Sequence, residues 1–382
     1  MSLDIWIYGP GFGEAILLIW DATSEEAVVR HAAFIDCFGG RDYDSHPSLC
    51  QWHDAGCPHV ALVCITHPHL DHIQNASVMM AAAGCTADLV VWWGGQTLRR
   101  IRALYGQMSE DMIVQEQELG ITSAMTWGFL NDVDALEKGK HKCRPSGTKA
   151  EVRSPMEYDL VYSGQTANGP LEFYAISPWL GPQTAYTRWI DSQICIASGG
   201  ETEVRPSKGL ANCTSLGFLI KYGKAQVLLG GDIEADNWTC LRGARPKENQ
   251  KDMLPQFDPC LIKVSHHGSP TGEIDGMWKP NSGFFSSLPG TDRNPPHCVI
   301  TPWRLGDPRW YLPKQDRAVL ERIAAAGCHV WETASKSDTS PIDLSTRLTE
   351  SYIHFVVDPK HNEARVIDEH FCRHTLPKIA SR

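Results

Sequence analysis

The chain has 382 residues, a net charge of −10 and 42% hydrophobic residues, enough for one large domain or two ordinary ones. It contains no run of about eighteen apolar residues and no basic-then-apolar leader, so neither a membrane span nor a secretory signal is predicted. Its acidic balance argues against a broad nucleic-acid-binding face. The thirteen cysteines form no C-x-x-C pairs, which is typical of a reduced, cytoplasmic protein and predicts no structural zinc knuckle.

The N-terminal part of the chain reads as a series of strands. Residues 3–64 alternate apolar runs with turn-forming residues. The last run, residues 60–65, is continuously apolar and predicts a buried strand. It leads directly into His67-Pro68-His69-Leu70-Asp71-His72, an H-x-H-x-D-H block. After the block, residues 76–83 predict a short helix and residues 89–93 another strand.

The H-x-H-x-D-H block predicts a metal site. Polar side chains that follow a buried strand each cost roughly several kcal/mol if they stay unpaired, and a divalent cation removes that cost. His67 and His69 are two apart on an extended segment and point the same way, whereas Asp71 and His72 turn into the next helix. One loop can therefore supply two metal ions. Imidazole and carboxylate ligands accept zinc or manganese, and the sequence does not choose between them.

Two later apolar runs also end in metal-binding residue types. Residues 227–231 predict a strand that ends in two glycines, and Asp232 follows them. Residues 261–264 predict another strand, which leads to His266, His267 and a Gly-Ser turn. An aspartate after glycines is weak evidence alone, since turns use Asp freely, but the three segments in this order form a strong pattern.

In this order the segments resemble the metallo-β-lactamase fold, and more narrowly its ComEC-type branch, the hydrolase domain attached to bacterial DNA-uptake channels. The resemblance extends through most of the chain in family order. It includes residues 11–18, 34–40, 176–178, 212–220, 312–313, 319–323 and 327–330. The fold it implies is α/β, an αββα sandwich of two mixed sheets flanked by helices.

The resemblance also implies which residues bind two divalent cations, with Asp232 bridging them. Asp36 is expected to orient a ligating histidine rather than to bind metal. Asn212 is either a weak ligand or a turn cap. Of the adjacent histidines the first is favoured as the ligand, and the second faces the substrate. The first metal is therefore assigned to His67, His69 and Asp232, with Asn212 as its weak ligand if that residue binds at all. The second metal is assigned to Asp71, His72, Asp232 and His266, and catalytic roles to Asp71, Asp232 and His267.

Residues 96–153 are not covered by the resemblance. The apolar spacing at Leu98, Ile101 and Leu104 predicts that this stretch is a helical insertion within a single domain spanning residues 1–382. Its role stays open between a lid, a substrate-selecting wall, a docking surface for a protein partner, and packing alone.

The predicted activity is metal-dependent hydrolysis, in which a hydroxide shared by the two cations attacks the substrate. The ComEC-like resemblance implies a phosphodiester substrate, and therefore a nuclease or nucleotide phosphodiesterase. Since fold does not fix substrate, two alternatives remain. One is a hydrolase of small phosphoesters or cyclic nucleotides. The other is a hydrolase module of an antiphage defence system, gated by a partner protein.

Overall fold

The computed structural model describes most of the chain. The residues it describes are 2–9, 13–23, 27–39, 43–93, 123–188, 211–243, 257–279, 284–285, 288, 294–302, 317–333, 351–370 and 372–375.

The first sheet contains eight strands and draws on both ends of the chain. They are β1 (Leu3–Tyr8), β2 (Ala15–Thr23), β3 (Val28–Ile35), β4 (His59–Ile65), β5 (Leu89–Trp92), β6 (Glu151–Arg153), β14 (Tyr352–Asp358) and β15 (Glu363–His370). Their order across the sheet is β15-β14-β1-β2-β3-β4-β5-β6. Pairing is antiparallel from β15 to β3 and parallel from β3 to β6, so the sheet is mixed.

The second sheet also contains eight strands. They are β7 (Leu160–Thr166), β8 (Gly169–Ser177), β9 (Gly217–Tyr222), β10 (Ala225–Leu229), β11 (Leu261–Lys263), β12 (His297–Ile300), β13 (His329–Thr333) and β16 (Cys372–Thr375). Their order is β16-β13-β12-β11-β10-β9-β8-β7. The central strands β10 to β13 are parallel and the outer pairs antiparallel, so this sheet is mixed as well.

The helices of the described residues are short. They are α1 (Pro47–Asp54), α2 (Leu70–Ile73), α3 (Ala76–Met79), α4 (Ser123–Glu137), α5 (Ala235–Gly243) and α6 (Arg317–Ala325). A π-helical turn, Met80–Gly84, continues α3, and residues 180–188 are also helical.

Alternating side chains show that the second sheet is covered on both faces. Val227 and Leu229 of β10 belong to a core that they share with the first sheet. Leu228, between them, belongs to a second core together with Trp238 of α5 and Val319 of α6. Successive strand residues point to opposite faces, so one face meets the other sheet and the opposite face meets helices. The expected αββα arrangement of two mixed sheets flanked by helices is therefore confirmed.

The outer face of the first sheet is covered by α3, the π-helical turn and α4. Phe129, Leu130, Val133 and Leu136 of α4 are fully buried in the hydrophobic cluster that also contains the strands of this sheet. This is the described part of the predicted insertion at 96–153, and here it packs against the sheet. Residues 94–122 lie outside the described residues, so the single-domain expectation and the insertion's other roles stay predictions. Among the described residues, every helix is too short or too polar to cross a membrane.

Candidate metal centre

The H-x-H-x-D-H block changes conformation halfway along its length. Strand β4 ends at Ile65, and His69 is still extended, with φ −86° and ψ 152°. Helix α2 then begins at Leu70 and carries Asp71 and His72 in its single turn. The extended half and the helical half therefore present their side chains in different directions, as the sequence predicts.

Asp232 reaches the site from the end of β10 in the second sheet. Gly231 has φ +49°, and a Cβ atom on it would lie 2.5 Å from the Leu216 carbonyl oxygen. Only glycine fits this turn without strain. The backbone N–H of Asp232 donates to Ser215 Oγ at 2.8 Å, which fixes the carboxylate as the strand ends.

His266 and His267 follow β11 in an uncommon backbone conformation. Their φ angles are +48° and +55°, in the left-handed region that non-glycine residues rarely adopt. A strained backbone conformation of this kind persists only where the surrounding contacts enforce it, and such residues often lie at functional sites. Here it turns the two adjacent rings to different partners.

The two carboxylate oxygens of Asp232 face different histidines. Its Oδ1 lies 3.4 Å from His72 Nε2 and 3.6 Å from His267 Nε2. Its Oδ2 lies 3.6 Å from His67 Nε2 and 3.9 Å from His266 Nε2. One buried carboxylate thus stands between two sets of nitrogen donors.

Two groups of donor atoms share this aspartate. In each group the donor atoms lie within 4.8 Å of one another. In the second group, Asp71 Oδ2 is 2.8 Å from His267 Nε2 and 3.8 Å from His72 Nε2. The first group is His67, His69 and Asp232, and the second is Asp71, His72, Asp232 and His267.

The adjacent histidines differ in burial and in partners. His267 is fully buried within the second group. His267 Nδ1 contacts the Thr301 carbonyl oxygen at 2.7 Å, which aims Nε2 at the carboxylates. His266 Nδ1 contacts Thr271 Oγ1 at 2.8 Å, and its less buried ring lies on the Oδ2 side of Asp232. The resemblance implied His266 as the ligand and this geometry favours His267, so the assignment stays a prediction.

Asn212 lies beside His266. Its side-chain amide donates to Glu234 Oε1 at 3.0 Å and lies 3.4 Å from His266 Nε2. Within the described residues, its Oδ1 atom is buried without a hydrogen-bond partner. The expectation that Asn212 is a weak ligand of the first metal stays a prediction.

Asp36 occupies the outer position expected for it. Its Oδ2 lies 2.7 Å from His72 Nδ1, and its Oδ1 accepts hydrogen bonds from the backbone N–H of Thr66 at 2.8 Å and from Thr66 Oγ1 at 2.9 Å. A carboxylate on Nδ1 fixes the ring and directs Nε2 toward the centre, as is usual behind metal-binding histidines.

A buried ion pair behind the site was missed by sequence analysis. Glu14 and Lys263 are both fully buried, and Thr301 Oγ1 donates to Glu14 Oε2 at 2.8 Å. Burial disfavours the Glu14 carboxylate, but Lys263, His72 and His267 outweigh it and lower the pKa of Glu14 below its ordinary value. The signal was present, because Lys263 interrupts an apolar strand and a buried lysine needs a partner.

The charges at the site favour ionised carboxylates. Burial alone would raise the pKa of Asp232, but the nearby histidines, His267 first, hold it well below the usual range. Burial, together with His72 and His69, lowers the pKa of His67 well below its ordinary value, so this ring is neutral. Carboxylate and neutral imidazole are the forms that bind divalent metals. Although burial opposes it, the neighbouring carboxylates raise the pKa of His72 and His267, so a cation that binds there takes the place of their protons.

A second observation, two buried polar atoms without a hydrogen bond, also indicates that these donors bind divalent cations. Among the described residues, His72 Nε2 and Asp232 Oδ1 are buried and make no well-aligned hydrogen bond, although they are 3.4 Å apart. Buried polar atoms rarely stay unpaired, and a cation between them would satisfy both. Nitrogen and oxygen donors of this kind suit zinc and also accept manganese.

Comparison with solved structures finds weak similarity to metallo-β-lactamases. A HARLDQ motif mutant from Cronobacter sakazakii (Enterobacter sakazakii) is 12% identical, covering 62% of this chain and 68% of its own, with a TM-score of 0.26. SMB-1 bound to 2-mercaptoethanesulfonate is 14% identical over 68% and 76%, with a TM-score of 0.29. A β-lactamase domain protein from Burkholderia ambifaria is 13% identical over 60% and 53%, with a TM-score of 0.30. Similarity this weak assigns no activity to the chain, and no family model or curated protein matches it.

Proposed function

We propose that this protein is a metal-dependent hydrolase that holds two divalent cations, zinc or manganese, and cleaves phosphodiesters. The observation that supports it best is the position of Asp232, whose Oδ1 faces the second donor group and whose Oδ2 faces the first. A carboxylate between two such groups is the arrangement that a dinuclear site requires. Asp71 and Asp232 serve as ligands on the second group's side.

Two bound cations supply positive charge and lower the pKa of a bound water toward neutrality. The protein's own residues do the rest. Asp36 and the Thr301 carbonyl oxygen hold the rings of His72 and His267, so that the donors are preorganised. His266, the less buried ring of the adjacent pair, would contact a phosphate oxygen or give a proton to the leaving alcohol.

The choice of phosphodiesters draws support from the ComEC-type resemblance. The negative charge of a phosphodiester would be balanced by the cations, so the acidic overall charge of the chain does not oppose this substrate.

The test is metal analysis followed by a substrate panel. We expect two equivalents of metal at this centre and metal-dependent cleavage of single-stranded DNA, which Asp232→Ala abolishes. Cleavage restricted to bis-p-nitrophenyl phosphate or cyclic nucleotides would favour the small-phosphoester alternative. Activity that appears only when the product of a neighbouring gene is added would favour the partner-gated module. Turnover that survives in the chelated protein or in Asp232→Ala would contradict the metal-dependent mechanism.

A further inference from the structure

Three metal-binding side chains meet at a second place, outside the centre described above. Donor atoms of Cys85, His141 and Cys143 lie within 4.8 Å of one another. Cys85 and His141 are buried, and Cys143 is exposed. None of the three belongs to either donor group around Asp232.

Helix α4 and the segment after it bring the three residues together. Cys85 directly follows the π-helical turn, and its Sγ lies 2.8 Å from the Ala81 carbonyl oxygen. His141 and Cys143 lie on the segment that leads from α4 to β6. The two parts of the chain are far apart in sequence, so no short sequence motif predicts that these residues come together.

The segment that carries His141 and Cys143 is itself well anchored. The Arg144 guanidinium donates to the Ala87 carbonyl oxygen and, at 3.0 Å, to that of Lys149. The Gly147 N–H donates to the Gly139 carbonyl oxygen at 3.0 Å. These bonds hold the segment against the turn that follows Cys85, so the donors are positioned without further rearrangement of the backbone.

A carboxylate stands next to the three. Oδ1 of Asp132, on α4, lies 3.4 Å from His141 Nε2. Asp132 is not one of the residues whose donor atoms lie within 4.8 Å of one another, so it is placed to orient the His141 ring and not to bind an ion itself. Two sulfurs with one imidazole are a soft donor set that favours zinc.

We propose that Cys85, His141 and Cys143 bind one Zn²⁺ ion, which fastens the segment after α4 to the end of the π-helical turn. On binding, each thiol forms a sulfur–zinc bond and releases its proton to solvent, so one ion displaces two protons and no oxidant is needed. Zinc is usually four-coordinate, and a water molecule on the exposed side of Cys143 would be its fourth ligand. The site does not depend on the proposed hydrolase activity.

Cobalt substitution in the full-length protein tests the site, because thiolate ligands give Co²⁺ an intense charge-transfer band in the near ultraviolet. The nitrogen and oxygen donors around Asp232 give no such band. We expect the band in the wild-type protein, and its loss together with one equivalent of zinc in Cys85→Ser/Cys143→Ser. Asp132→Asn should weaken zinc binding at this site and keep the two thiolate ligands.

Two controls separate this site from the hydrolase centre. Cys240→Ser, on α5, removes a thiol outside the cluster and should keep the band. His67→Ala should also keep it while losing metal at the other centre. A wild-type protein without the band, a band that survives in the double variant, or a Cys85–Cys143 disulfide in protein purified with reductant would each overturn the proposal. If the double variant does not fold, the presence or absence of the cobalt band in the wild-type protein still tests the proposed site.

Discussion

The ammonium group of Lys263 lies 2.5 Å from Oε2 of Glu14, and both side chains are fully buried. Glu14 also reaches the metal centre, with Oε1 3.9 Å from His72 Nδ1 and Oε2 4.0 Å from His267 Nδ1. The pair therefore joins the strand end that carries the adjacent histidines to the first sheet, directly behind the second donor group.

Lys263→Met should destabilise the protein by about 3–5 kcal/mol, because it leaves the Glu14 carboxylate buried without its partner. The measurement is the free energy of unfolding in urea, made on chelated protein so that metal loss does not contribute. Adding Glu14→Gln to Lys263→Met should restore part of the loss, since no unpaired charge then remains. If Lys263→Met alone is as stable as the wild-type protein, Lys263 and Glu14 do not stabilise each other.

His267→Ala and His266→Ala should separate metal binding from turnover. We expect His267→Ala to lose one of the two equivalents of metal bound at this centre, because His267 Nε2 faces both Asp71 and Asp232. His266→Ala should keep both equivalents and lose activity, because His266 is the less buried ring and is in neither donor group. Metal content by mass spectrometry and initial rates distinguish the two roles, and the reverse pattern would support the assignment expected from the sequence.

Asp36→Asn should weaken metal binding by about 10–100-fold, because the amide is a poorer partner for His72 Nδ1 than the carboxylate. Competition with a chromophoric chelator measures the affinity. Asp88→Asn is the matched control, since Asp88 pairs with His59 at 2.7 Å on the exposed side of the same sheet. Equal metal affinities of Asp36→Asn and Asp88→Asn would contradict the orienting role of Asp36.

His46 should make stability depend on pH below neutrality. Burial lowers the pKa of His46 to about 4, although its Nε2 contacts the Cys37 carbonyl oxygen. The unfolded chain, with the ordinary value of 6.5, therefore binds more protons between these two pH values. Stability from this group is fully present above pH 6.5 and declines as pH falls, by about 3 kcal/mol near pH 4.

The measurement for His46 is the free energy of unfolding of chelated protein across this pH range, compared with His46→Gln. The variant cannot take up the proton, so its stability should fall less steeply with decreasing pH. His297 also has a pKa lowered to about 4, chiefly by burial, and contributes a decline that both proteins share. Identical slopes in the two proteins would show that His46 does not titrate in this way.

The layered fold and the contiguous histidine block could be predicted because their signals are local. Apolar runs ending in His67 or Asp232 place those residues at strand ends whatever the rest of the chain does. The places of His266 and His267 could not be predicted, because two neighbours in left-handed conformation diverge in a way that no residue spacing encodes. Pairs such as Glu14 and Lys263 are distant in sequence, so each looked like an isolated charge.

The same sheet topology has a consequence for how the chain is made. Strand β1 lies between β2 and β14, and Asp4 contacts His354, a residue 350 positions later. While the nascent chain leaves the ribosome, one edge of β1 therefore stays unpaired until β14 has been synthesised. An exposed strand edge is a template for aggregation, and distant pairings form slowly, so we expect the growing chain to need shielding by chaperones until the hairpin of β14 and β15 has been made.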